Sequence, residues 1–188
     1  MIYNWKKIVR HGIPLLTLCV FIEILAGQLL LYNQDKLIMI PIFLISIPVI
    51  NSVGGNIGSV LGARLASGLH VGYITLSVKD KKMQENLFTS ILMGVLVYFV
   101  LAILIYCSVL FSSTDTEHMI GLIEFTTVVV GAGILLVFVV SLVSVFTAFW
   151  SFKRGLDPDD TVAPVVTTVG DTLGIAFLFL LIGVVVGI

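Results

Sequence analysis

The sequence predicts an all-α polytopic membrane protein, five transmembrane helices in one domain over residues 1–188. Composition is the first reason: 59% of residues are hydrophobic and 11% charged, whereas soluble domains carry about 25% charged residues. Mean hydropathy, at +1.17, is the second. The third is pattern, because the apolar residues come in long runs rather than the short alternating segments of an outer-membrane barrel, and lipid leaves helices as the remaining way to satisfy the backbone.

Residues 1–10 are basic and precede an apolar run, as in a signal peptide. The run continues to Tyr32 without a small-x-small cleavage site, and further helices follow, so it reads as a retained anchor behind a short cytosolic N-terminus. Span one is Ile13 to Tyr32, about the 20 residues a bilayer needs. Asn33-Gln34-Asp35-Lys36 closes it. Span two runs from Leu37 through Pro41, Pro48 and the glycine-rich Ser52-Val53-Gly54-Gly55-Asn56-Ile57-Gly58-Ser59 to about Leu69. That is longer than one crossing requires and implies a tilt, or a bend at its prolines. A polar connector, His70 to Glu85, leads to span three, Asn86 to Phe111. The loop Ser112 to His118 precedes span four, about Met119 to Phe149, and the connector Trp150 to Asp160 precedes span five, Thr161 to Ile188.

Five spans put the N-terminus and the connectors after spans two and four on one face, with Lys6, Lys7, Arg10, Lys79, Lys81, Lys82, Lys153 and Arg154. The other face holds Lys36 alone. Cations are retained on the cytoplasmic side, so the N-terminus is expected inside and the C-terminus outside, with a prokaryotic plasma membrane the natural setting.

Several function classes drop out. A net charge of -1 and no block of like charges leave nothing to attract nucleic acid. Cys19 and Cys107 sit in apolar runs without metal-ligand spacing and read as small buried hydrophobes. The glycine-rich stretch lacks the Gly-Lys-Ser/Thr of a phosphate loop, and no HExxH or Ser/His pattern suggests an enzyme or an organic cofactor.

Charges inside lipid are expensive and mark functional candidates: Glu23, Arg64, Glu124 and Asp171. Asp171 is the most informative. Thr167, Thr168, Asp171 and Gly174 recur at three- and four-residue spacings with Gly170 alongside, a narrow oxygen-lined helix stripe. Such a stripe suits a hard divalent cation that keeps much of its water; the plainer reading pairs Asp171 with Arg64 and gives the glycines to helix packing. Gly54 and Gly58 form a GxxxG contact pattern, while Asn56 divides evenly between packing and a pore. Asp157, Asp159 and Asp160 either focus cations at a mouth or cap span five, with capping favoured for Asp159 and Asp160. Glu23 and Glu124 lack hydroxyl partners of comparable quality and stand as coupling groups or as partners of Arg64. His11, His70 and His118 fall at membrane edges.

Together these segments resemble the membrane domain of the MgtE family of magnesium channels and the related eukaryotic solute-carrier magnesium transporters. In span two the likeness rests on Pro48, Gly54-Gly55-Asn56-Ile57-Gly58 and Arg64; in span five it rests on Gly155-Leu156-Asp157-Pro158, then Pro164, Thr167, Asp171 and Gly174. Arg64-Leu65-Ala66-Ser67 and Gly170-Asp171 look closer to the eukaryotic branch. The resemblance implies a homodimer with spans two and five of both copies lining one pore. It makes Asp171 the selectivity carboxylate for largely hydrated Mg2+, helped by the Thr167 carbonyl, with Asn56 lining the pore and Asp157 touching ions at the cytoplasmic mouth. The cytosolic sensing domain of bacterial members has no counterpart in residues 1–10. Mg2+ is then the transported ion and lipid the surrounding partner. The alternatives are an exchanger that couples Mg2+, Mn2+ or Co2+ to sodium or protons through Glu23 or Glu124, and a non-transporting scaffold subunit.

Overall fold

The structure is a computed structural model that describes residues 5–111 and 120–187. Its elements in order are α1 (Trp5–Tyr32), α2 (Gln34–Met39), α3 (Ile42–Val71), α4 (Lys81–Phe111), α5 (Leu122–Lys153) and α6 (Pro158–Val185). Five of these are long and apolar enough to cross a membrane. With 28 to 32 residues each, they are about 42 to 48 Å long, against a hydrocarbon core of about 30 Å. Tilt and extension past the lipid together accommodate the excess length.

Span two is divided, where the sequence suggested one long segment. Pro41 has no N–H to continue the helix, and the residue before a proline is driven out of the helical region. Ile40 accordingly sits at φ -133°, ψ 81°, and α3 starts afresh after Pro41. Pro14, Pro48 and Pro164 lie inside α1, α3 and α6.

Other boundaries shift in both directions: α5 starts only at Leu122 and α6 ends at Val185, whereas the start of α4, the end of α5 and the start of α6 move outward. Helix α4 begins at Lys81, inside the segment read as a connector, because Asp80 caps it: Oδ1 accepts from the backbone N–H of Lys82 at 2.8 Å and of Met83 at 3.3 Å. Its Oδ2 accepts from the Thr75 N–H at 2.9 Å and hydroxyl at 2.7 Å. The expected start of span four at Met119 and the loop residues Asp115, Glu117 and His118 lie outside the described residues. So does Ile188.

The Thr75 hydrogen bonds pull the Asp80 carboxyl down from 3.8 to about 2. Because the folded value is depressed, its contribution is complete above the unfolded value and disappears as pH falls from there through about 2. Amide exchange at Thr75 and Lys82, corrected for intrinsic rate, is expected to accelerate across that interval. In Asp80→Ala the same amides are expected to exchange fast already at pH 7, with the membrane spans unaffected.

The α5–α6 corner explains the Gly155-Leu156-Asp157-Pro158 motif as punctuation. Gly155 adopts φ 69°, a left-handed conformation that ends α5. Asp157 then caps α6, its side chain accepting from Asp159 N–H at 3.1 Å, with Pro158 opening the first turn. The cap thus falls on Asp157, not on Asp159 or Asp160, which occupy the acidic first turn.

Helix α3 is the hub, packed on α4, α5 and α6, while α1 leans chiefly on α6. The core runs through Phe43, Leu61, Leu65, Tyr98, Phe125, Leu136 and Leu178. Large side chains such as Phe21, Leu25, Phe88, Leu96 and Phe146 stay exposed on the outer faces, the surface that lipid covers.

Candidate functional site

With little hydrophobic drive between helices in lipid, small residues and polar cross-links position them. Three such links hold α3. The Tyr98 hydroxyl of α4 donates to the Ile50 carbonyl at 2.6 Å, Ser144 of α5 donates to the Gly58 carbonyl at 2.8 Å, and Asn51 of α3 donates to the Asp171 carbonyl of α6 at 3.1 Å. Tyr98→Phe is expected to lower unfolding stability by about 1 kcal/mol, the upper range for one interhelical hydrogen bond. Reversible unfolding in mixed micelles measures it.

Glycines set the spacing. A Cβ on Gly170 would stand 3.3 Å from the Gly55 nitrogen and 3.5 Å from its Cα. Gly55 itself faces Thr167, Gly58 faces Val166 and Val140, Gly54 faces Leu136 and Tyr98, and Gly174 abuts the Asn51 carboxamide. Each of these glycines occupies a helix contact.

Beside this seam lies an open groove of about 500 Å3. Asp171 and Thr167 of α6 form one wall; Pro48, Asn51, Ser52 and Asn56 of α3 form the other. Asn56 is exposed and its amide donates to Ser52 Oγ at 3.4 Å. The Thr167 hydroxyl donates back into its own helix, to the Ala163 carbonyl at 2.9 Å or the Pro164 carbonyl at 3.1 Å. The groove thus combines one carboxylate with amide, hydroxyl and carbonyl oxygens, the donor set of a hard cation. Among the described residues no three His, Cys, Asp or Glu side chains converge on one point.

Asn51 was missed in the sequence, although the argument applied to Asn56, a carboxamide inside an apolar run, applies equally to it. Its Nδ2 is used on Asp171, while its Oδ1 is buried without a hydrogen bond among the described residues.

Several expectations need correcting. Thr168 does not share the Asp171 face: it is 2% exposed and its hydroxyl donates across to Glu23 Oε1 of α1 at 3.1 Å. Glu23 therefore does have a hydroxyl partner. Arg64 pairs with none of Asp171, Glu23 or Glu124, since among the described residues the one ion pair is Lys82–Glu85. Its side chain turns instead toward α4. Glu124 stands in the first turn of α5, whereas Arg64 is near the end of α3. One intervening helix makes α3 and α5 run in the same direction, so the two charges sit toward opposite membrane faces.

No curated protein and no solved structure matches the chain. A family model does: MgtE, a divalent cation transporter, matches residues 47–181. The matched stretch begins one helical turn before Asn51 and ends beyond Asp171, so it contains every residue that lines the groove. This integral membrane protein belongs to the MgtE divalent cation transporter family.

Proposed function

We propose that the chain transports Mg2+ through a pore at a homodimer interface lined by α3 and α6 of both copies, with Asp171 as the ion-binding carboxylate. The observation that carries this is the groove: it opens outward from the protomer and presents Asp171, Thr167 and Asn56 on facing walls. One carboxylate and a few neutral oxygens make half of a site. A second copy doubles the charge and closes the cavity around an ion that retains much of its water. Asp157, beyond its capping role, meets ions at the mouth of the pathway. The N-terminus is cytoplasmic and the C-terminus outside, in line with the cation asymmetry; the membrane proposed is a prokaryotic plasma membrane.

The test is Mg2+ uptake into proteoliposomes by the wild type beside Asp171→Asn, with oligomeric state measured in parallel. Uptake that requires Asp171 in a folded dimer supports the proposal; absent uptake, or uptake indifferent to Asp171, defeats it. The Glu23–Thr168 bond favours a second reading, exchange coupled to sodium or protons. It requires uptake to follow an imposed gradient of one of these ions, and that dependence to vanish in Glu23→Gln.

A further inference from the structure

A second groove, of about 260 Å3, lies toward α4 and shares Asn56 with the first. Arg64 of α3 and Ser90 of α4 form one end; Val53, Ile57, Met93 and Val97 line the rest, which is apolar apart from the Asn56 carboxamide. Arg64 is half-buried, and among the described residues its guanidinium has neither an ion pair nor a hydrogen bond. A cation within a membrane helix ordinarily finds an anion or reaches the headgroup layer.

Position along the helices identifies the anion. Arg64 precedes the end of α3 at Val71 by about 10 Å, and Ser90 follows the start of α4 at Lys81 by about 13 Å, at 1.5 Å per residue. Both helix ends lie at the face that carries the exposed Lys79 of the connector and Lys81 and Lys82 of the first turn of α4. Val53 and Val97 lie more than 20 Å from the same ends by the same rise, near mid-membrane. The groove therefore carries its one charge toward the lysine-rich face and is mainly apolar, with one neutral carboxamide, toward the bilayer centre, the polarity of a phospholipid in that leaflet. Basic pockets between helices on the cytoplasmic side suit anionic headgroups.

The rim separates a lipid from a second protein copy. Leu92, Met93, Leu96 and Val97 are exposed along α4, and bulky apolar side chains face acyl chains, whereas helix pairing favours small residues. We infer that the α3–α4 groove binds an anionic phospholipid, its phosphate on Arg64 and one acyl chain along Ile57, Met93 and Val97. This inference does not depend on the ion that the protein carries.

Native mass spectrometry of the purified protein, equilibrated with equal dioleoyl phosphatidylglycerol and dioleoyl phosphatidylcholine, tests it. About fivefold preferential retention of phosphatidylglycerol is expected from one cationic side chain near the surface. The preference is expected to fall toward unity in Arg64→Gln and to survive in Arg64→Lys. Val97→Trp, which fills the apolar end and keeps the cation, is expected to reduce retention as well, so the inference remains testable if Arg64→Gln does not fold. Equal retention by the wild type overturns it. So does displacement of the lipid by millimolar inorganic phosphate, which would show recognition of the anion alone. Loss of dimer in Arg64→Gln with lipid preference intact would assign the groove to a second copy and equally overturn it.

Discussion

Asp171→Asn is expected to lower Mg2+ flux on the order of 100-fold while leaving the helices folded. At an effective dielectric near 20, one unit charge at 4 Å from another is worth about 4 kcal/mol. A hydrated divalent ion stands farther away but carries twice the charge, so the loss of one carboxylate per protomer outweighs the gain of an amide. The fold survives because the Asp171 backbone carbonyl, not its carboxylate, receives the Asn51 hydrogen bond, and that carbonyl is unchanged by the substitution. Asp171→Glu, which keeps the charge but extends it by one methylene, is expected to fall between the two. Ion flux and melting midpoint, measured on the same preparations, separate the electrostatic effect from a structural one. A matched drop in both would move Asp171 from ion binding to helix packing.

The five spans were legible because hydropathy requires only composition within a window, and lipid imposes that composition on every crossing. Helix ends were less so. Hydropathy marks where lipid stops, whereas Lys81 to Glu85 are helical because Asp80 caps them, a bond that has nothing to do with lipid. The site was half legible for a geometric reason. At about 100° per residue, Thr167 lies about 40° from Asp171 on one side and Thr168 about 60° on the other. Spacing alone placed both on one stripe. Which of them faces the groove depends on where α1 and α3 pack against α6, and no sequence period encodes the identity of a neighbouring helix. The same ignorance of neighbours linked Arg64 to Asp171, although the helix turns that residue toward α4. Asn51 was legible in principle, as a second carboxamide within an apolar run.

Gly170→Leu is expected to be strongly damaging at the seam, costing about 3 kcal/mol or more and abolishing flux. The new Cβ would meet the Gly55 backbone nitrogen at 3.3 Å, and a backbone cannot rotate aside as a side chain can. The rest of the leucine would force α3 and α6 apart, which breaks the Asn51 bond to Asp171 and separates the walls carrying Thr167 and Asn56. Gly58→Leu meets Val166, a fully buried β-branched side chain, with the Val140 carbonyl oxygen 3.4 Å from the new Cβ as well, so a comparable stability loss is expected there. Gly27 supplies the control, for a Cβ there meets nothing within 4 Å; Gly27→Leu on α1 is expected to stay within about 0.5 kcal/mol of wild type, as for other substitutions at open positions. Melting curves and flux for the three variants order the positions by contact. If Gly170→Leu behaved like Gly27→Leu, the close approach of α3 to α6 would not exist, and the groove built upon it would have to be abandoned.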